Sequence, residues 1–388
     1  MNTFQGTFSS LGLMVGVIIG AGMFALPYAI SRAGLWWGLI HLSLAFCIIT
    51  LVHIFYSAVI VATPGRHRLP GYARIHLGAW AERLTFVSAF GGFYGALLVY
   101  GILGGMFLSR LIPFFEGRAN ALTFLFFAAG ALFLIFDIRR VGEINFLLTL
   151  ALILCVGVLA IYALPHVKIE HFNIEPIAAD WFLPYGVFLF AFAGASAVPD
   201  AREAFRQKTK SPDGRFRRIL VFSTLIPLFV YLVFIASVLG VTGAKTSPEA
   251  IFALGSVLGS KAIVIGSLVG LLAVFTSYLS LGLDLKNLLR YDAQLPLPAA
   301  WAAAVAVPPL LYAAGISDFV SIIGLVGAIA IGIDGIIILL SALRVCHRGN
   351  RCAIGSVSFH PLVAVFLIAA LFVGVVYEIY TIIGITAL

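Results

Sequence analysis

Charged side chains are scarce in this chain of 388 residues: they make up 10% of it, while hydrophobic residues make up 62%. A soluble domain is about a quarter charged. So few charges cannot cover a water-facing surface, which excludes a soluble protein. The apolar runs are long and continuous and lack the alternation of a transmembrane barrel. The composition therefore predicts an all-α membrane protein that crosses the bilayer many times.

Apolar runs bounded by charged residues, glycine or proline predict eleven transmembrane helices. Each run is near or above the roughly 20 residues that a helix needs to cross the hydrocarbon. Little of the chain remains for a domain outside the membrane. The predicted spans are residues 6–31, 35–62, 84–113, 120–136, 142–165, 181–199, 218–241, 257–285, 298–314, 317–343 and 359–385.

Lysine and arginine are unevenly distributed between the loops. If the N-terminus is cytoplasmic, about three quarters of the 24 basic residues fall in cytoplasmic loops. This bias predicts a multi-pass protein of the cell (inner) membrane with a cytoplasmic N-terminus and an outside C-terminus. The net charge of +8 is then explained by basic cytoplasmic loops, and no nucleic-acid partner is expected.

Two glycine-containing segments interrupt predicted spans at matching places in the two halves of the chain. Gly22–Pro27 in the first span and Gly194–Pro199 in the sixth both fit G-x-x-A-x-P. Glycines alone would fit close helix packing equally well. However, five spans separate the two copies, so the copies have opposite orientations in the membrane. This arrangement indicates an inverted repeat whose first helices are both broken near the bilayer midplane.

A broken helix at the midplane has unpaired backbone groups that must face a cavity or a ligand. The half-helix that begins after Gly22 presents free N–H groups and a positive dipole end, which suit a carboxylate. Carbonyl groups at the end of the preceding half-helix suit an ammonium group or a small cation. The two breaks are therefore complementary to a zwitterion. Neither break contains Asp or Glu, which disfavours a polyamine.

The residues at the breaks resemble the amino acid–polyamine–organocation superfamily, and within it most closely the aromatic and neutral amino acid permeases (amino acid/auxin permease-like). The resemblance is carried by Ile19–Pro27, Phe192–Pro199, Thr276–Leu279 and Pro70–Ala73. It implies the leucine-transporter-type fold, with five spans, five inverted spans and one extra C-terminal helix. The chain is then one transmembrane domain, with repeat 1 at 1–165, the inverted repeat at 166–343 and helix 11 at 344–388.

The resemblance also implies roles for individual residues. The first break would face the substrate carboxylate, and the second would hold the amino group and shape the side-chain pocket. Sodium-coupled members hold one ion between the first span and an A-x-x-T-S group of the eighth span. The implied substrate-binding residues are Gly20, Ala21, Gly22, Met23, Phe24, Phe190, Phe192, Ala193, Gly194 and Ser196, and the implied sodium ligands are Gly16, Ile19, Ala273, Thr276 and Ser277.

The sequence leaves two candidates for the coupling ion, sodium and a proton. Some proton-coupled relatives replace the sodium ion with a lysine on the fifth span, and no Lys or Arg lies between Glu143 and Pro165. The aromatic permeases, in contrast, are generally regarded as proton symporters. Two carboxylates within spans are candidates for carrying a proton: Asp334 in the middle of span ten, and Asp284 in span eight. Asp284 is also close enough in sequence to basic residues to form a structural ion pair.

The sequence as a whole predicts a secondary active transporter that carries neutral amino acids, aromatic or large and apolar, with Na⁺ or H⁺ across the lipid bilayer. Small residues at both breaks leave room for a large substrate side chain. An amino acid exchanger, a polyamine carrier and a non-transporting amino acid sensor remain as alternatives. No paired Ser and His and no HExxH motif occurs in the spans, so no enzyme and no cofactor are expected.

Overall fold

The structure is a computed structural model. It describes residues 2–65, 67–112, 119–135, 141–208, 213–349, 353–354, 357–358 and 361–386. In these ranges the α-helices are α1 (Asn2–Ile18), α2 (Leu26–Ala33), α3 (Leu35–Ala62), α4 (Leu69–Leu77), α5 (Ala79–Leu111), α6 (Ala119–Phe133), α7 (Val141–Ala163), α8 (Leu183–Phe192), α9 (Val198–Lys208), α10 (Asp213–Thr242), α11 (Ile251–Leu258), α12 (Ser260–Asn287), α13 (Leu297–Ala313), α14 (Phe319–Leu325), α15 (Gly332–Gly349) and α16 (Pro361–Thr386).

Shorter elements join these helices. Two antiparallel strands of two residues each, β1 (Ala353–Ile354) and β2 (Val357–Ser358), lie between α15 and α16. The 3-10 and π segments are Ala21–Ala25, Leu164–His166, Ile169–Phe172, Ala178–Asp180, Ala195–Ala197 and Gly243–Lys245 (3-10), and Leu288–Asp292 and Val326–Ile331 (π).

Eight helical segments of the described chain are long and apolar enough to cross a membrane, and the bent pair Gly6–Ile18 and Ala21–Ala33 forms a ninth candidate. Two shorter apolar helices, Asn120–Phe133 and Leu297–Ala313, coincide with the predicted fourth and ninth spans. The prediction of an all-α membrane protein is confirmed. The total of eleven spans and the division into two repeats and an extra helix stay predictions.

The first span is broken where the glycines predict it. The last regular hydrogen bond of α1 joins the Ile19 N–H to the Val15 carbonyl. Gly20 then has an extended backbone (φ −140°, ψ −154°), and a 3-10 turn leads into α2. The two halves meet at an angle of 45°. Pro27 lies in the first turn of α2, where its missing N–H costs no helical hydrogen bond.

The sixth span is broken in the same way, between α8 and a 3-10 turn that leads into α9. Ala193 has an extended ψ of 127° and ends α8, and Gly194 follows it. The half-helix before the first break, α1, packs against the half-helix after the second break, α9, while α2 packs against α8. The two broken spans therefore run in opposite directions, as the matched motifs predict.

Candidate functional site

The two breaks meet at one cavity in the core of the molecule. Its volume is about 160 Å³. Gly20 and Gly22 line it from the first break, and Ala193, Gly194 and Ser196 line it from the second. Helices α3, α5, α12 and α15 complete the walls. The geometry therefore brings two helix ends that are far apart in the sequence to the same cavity.

Two glycines allow this close approach. A Cβ on Gly22 would lie 2.9 Å from the Cα of Ala191, and a Cβ on Gly194 would lie 2.7 Å from the Cγ1 of Ile18. Each glycine of one break is thus in contact with the other broken span. The sequence leaves two explanations for these glycines, close helix packing and a break in the helix. Both apply, because the glycines permit tight packing at the same place where the helices unwind.

Tyr231 of α10 connects the two breaks, and the sequence offered no signal for it. Its hydroxyl oxygen lies 2.9 Å from the carbonyl oxygen of Ile18 and 2.7 Å from that of Ala191. These carbonyls belong to the last turns before each break. A phenol has only one hydrogen to donate, so at any moment one of the two carbonyls remains available to another donor or to a cation.

Six of the ten predicted substrate-binding residues line the cavity: Gly20, Gly22, Phe190, Ala193, Gly194 and Ser196. The other four are not part of its lining. Phe24 packs edge-on against Phe107 and Phe234, and Phe192 packs edge-on against Tyr231. Ala21 and Met23 are fully buried and are not part of the lining. Successive residues of a helical turn point in different directions, so a contiguous motif cannot place every side chain at one cavity.

A second, larger cavity of about 700 Å³ adjoins the first and opens on one side of the molecule. Ala89, Phe93, Ala195, Ser196 and Asp334 line both cavities, so we call the larger one the vestibule. At its wall an Arg68 guanidinium nitrogen lies 3.0 Å from a carboxylate oxygen of Asp200. Polar and charged side chains therefore lie on the side of the central cavity that adjoins the vestibule.

The predicted sodium ligands are only partly assembled. A Cβ on Gly20 would lie 3.0 Å from the Oγ of Ser277, so the eighth span and the first break are in contact there. The Thr276 hydroxyl lies 3.0 Å from the carbonyls of Leu272 and Ala273 in its own helix. Gly16, Ile19 and Ala273 are buried. The structure thus brings Ser277 to the break, whereas Thr276 donates its hydrogen to its own helix.

The two carboxylates proposed for proton transfer lie on the vestibule. The Asp334 Oδ1 accepts a hydrogen bond from Ser88 at 2.7 Å, and Asp334 lines both cavities. Asp284 lines the vestibule only and lies within electrostatic range of Arg68. The nearby Lys286 is buried, and its ammonium group donates to the carbonyl of Leu134 at 3.0 Å.

A family model matches residues 3–345, nearly the whole transmembrane region, and describes the tryptophan/tyrosine permease family. The chain belongs to this family. It is therefore a multi-pass membrane transporter of amino acids and not an enzyme. The prediction of an aromatic amino acid permease is confirmed at the level of the family. No match is found among curated proteins.

Two solved transporters resemble the permease in fold. MhsT, in complex with L-phenylalanine, has a TM-score of 0.68 and 15% sequence identity, and the match covers 95% of this chain and 98% of that one. The second is Mhp1, a nucleobase-cation-symport-1 family transporter in a closed conformation with bromovinylhydantoin bound. It has a TM-score of 0.63 and 14% sequence identity, and the match covers 86% of this chain and 77% of that one. The similarity confirms the leucine-transporter-type fold, with helices 1 and 6 broken.

Proposed function

We propose that the permease is an ion-coupled symporter of tryptophan and tyrosine, and that both amino acids bind in the central cavity between the two breaks. The observation that carries this proposal is the meeting of both broken helices at a single cavity in a chain of the tryptophan/tyrosine permease family. Broken helices at matched positions are where transporters of this design bind substrate and ion.

The substrate carboxylate binds at the first break, where the N–H groups of Ala21 and Gly22 precede the first hydrogen bond of the 3-10 turn, from Met23 to the Gly20 carbonyl. The substrate ammonium binds the carbonyl of Ile18 or of Ala191 that Tyr231 leaves unpaired. The aromatic ring lies against Phe190 and Tyr100, which line the cavity. An aromatic ring stabilises such a site by burial and by edge-to-face contacts.

The coupling ion has two candidate sites. Sodium would bind near Ser277, because the Ser277 hydroxyl and backbone carbonyls at the break are oxygen donors of the kind that hard cations prefer. A proton would bind Asp334, which lies where the central cavity joins the vestibule. We propose sodium, because the Ser277 hydroxyl lies directly beside the break at Gly20.

Transport proceeds by alternating access, with the vestibule as the access route on one side of the membrane. The positive-inside bias places the vestibule on the cytoplasmic side, because Arg68 belongs to the loop between spans two and three. The N-terminus is then cytoplasmic and the C-terminus outside. Rocking of one helix bundle would close the vestibule and open the opposite side.

The test is uptake of labelled tryptophan into proteoliposomes under a sodium gradient and, separately, under a proton gradient. Uptake with competition by tyrosine supports the proposed substrates. Uptake driven by sodium, and lost in Thr276→Ala with Ser277→Ala, supports the sodium site. If only a proton gradient drives uptake and Asp334→Asn abolishes it, the proton replaces sodium in the proposal. If no gradient drives uptake and no amino acid competes, the proposed function is wrong.

A further inference from the structure

His53 of α3 presents its side chain to the central cavity. It is 1% exposed and lines the cavity together with Gly194 and Asp334. Its Cε1 atom would lie 3.2 Å from a Cβ on Gly194. The imidazole therefore packs directly against the unwound segment of the second break.

Both ring nitrogens of His53 lack a hydrogen-bond partner among the described residues. A neutral imidazole has one donor and one acceptor, and burying either without a partner costs free energy. His41, about three turns earlier in the same helix, differs in this respect, because its Nδ1 lies 2.9 Å from the carbonyl of Trp37. Packing alone therefore does not account for His53, and its unpaired nitrogens indicate a partner that enters the cavity.

We propose that His53 is a specificity-determining residue, whose imidazole hydrogen-bonds the polar atom on the aromatic ring of the substrate. The inference rests on the proposed function. Tryptophan carries an indole N–H and tyrosine a phenol O–H, and each donates to the unprotonated nitrogen of a neutral imidazole. Phenylalanine has no such group and leaves that nitrogen unpaired. A site built to hydrogen-bond a substrate N–H or O–H rejects the analogue that lacks it.

The lining of the cavity combines polar groups with apolar walls. The first break supplies backbone N–H groups for the carboxylate, and His53 supplies a ring nitrogen beside the second break. Ile49, Ala96 and Phe190 are among the apolar walls. Asp334 is the acidic side chain of the lining, and Ser88 already donates to it.

The experiment measures KM and kcat for labelled tryptophan, tyrosine and phenylalanine in proteoliposomes that contain the whole chain. We expect the unsubstituted protein to have a KM about 10-fold lower for tryptophan and tyrosine than for phenylalanine. His53→Leu should raise the KM for tryptophan and tyrosine about 10-fold and leave that for phenylalanine unchanged. His53→Gln, which keeps a donor and an acceptor, should restore most of the preference, and His41→Leu should retain it fully.

A purely structural role for His53 would raise the KM for all three amino acids by the same factor, and that result overturns the inference. Equal KM values for tyrosine and phenylalanine in the unsubstituted protein also overturn it. This second comparison needs no variant, so it stands even if His53→Leu does not fold. If the unsubstituted protein takes up none of the three amino acids, the proposed function fails, and the inference fails with it.

Discussion

At the scale of single residues, the site depends on side chains that hydrogen-bond the backbone at the two breaks and on glycines that let the breaks approach each other. Tyr231 holds the carbonyls of Ile18 and Ala191, and Gly22 lets the first break approach Ala191. The glycine is visible in the motif, whereas the tyrosine lies in the middle of an ordinary apolar helix. Nothing in the local pattern of α10 distinguishes this side chain from one that faces lipid.

Tyr231→Phe removes the hydroxyl and leaves both carbonyls without this donor. We expect a loss of about 1 kcal/mol in stability and, in addition, a lower tryptophan uptake, because the ends of both half-helices lose their connection. Thermal unfolding and uptake are measured together. The matched control is Tyr94→Phe, which removes a hydroxyl that donates to the Ala303 carbonyl at 3.1 Å. If the two variants reduce uptake equally, Tyr231 has no special role at the breaks.

Gly22→Ala places a Cβ 2.9 Å from the backbone of Ala191. One broken span must then shift away from the other, and overpacking of this kind costs about 1–3 kcal/mol. We expect the KM for tryptophan to rise at least about 10-fold. Gly91→Ala serves as the control, since a Cβ there has nothing within 4 Å. An unchanged KM in Gly22→Ala would mean that substrate does not bind at this break.

At the scale of elements, α8 is held against the π segment Val326–Ile331 by backbone contact. A Cβ on Gly327 would overlap the carbonyl oxygen of Gly186, and a Cβ on Gly186 would overlap that of Gly324. The same π segment lines the central cavity through Val326, Ala330 and Ile331. Its closeness to α8 therefore sets the position of one cavity wall.

Gly327→Ala should separate the π segment from α8. We expect destabilisation of about 1–3 kcal/mol from overpacking. The atoms nearest the added Cβ are backbone atoms of Gly186 and Phe190, so no side chain can move aside to make room. The measurement is the melting temperature of the purified protein. Gly324→Ala lies in the neighbouring helix, and its added Cβ meets nothing within 4 Å, so it should melt close to the unsubstituted protein. Equal melting temperatures for both variants would contradict the proposed packing.

At the scale of the whole molecule, the vestibule opens on one side and shares five lining residues, Ser196 among them, with the central cavity. The charge bias of the loops predicts that the vestibule faces the cytoplasm. Helices of opposite orientation line both cavities. When the transporter changes between its two conformations, the access route is therefore expected to move to the other side of the membrane while the binding residues stay in place.

Ser196→Cys tests both the access route and the orientation. In a background without the four native cysteines, an impermeant maleimide should label it in inside-out vesicles, with protection by tryptophan. Glu170→Cys, exposed in a loop predicted to lie outside, should react only in right-side-out vesicles. Labelling of both positions from the same side would refute the proposed arrangement.

The sequence by itself determined that the chain is a helical membrane protein with two breaks in opposite orientation. Long apolar runs and the repeated G-x-x-A-x-P motif carry that information locally, since bilayer thickness and backbone freedom act on contiguous residues. Only the tertiary structure decided which motif residues face the cavity, and that Tyr231 and His53 join them. Those two side chains come from other helices, and their contacts arise when spans distant in sequence pack together. Hydropathy and motif spacing describe each helix alone, so they cannot specify which of its faces meets the site.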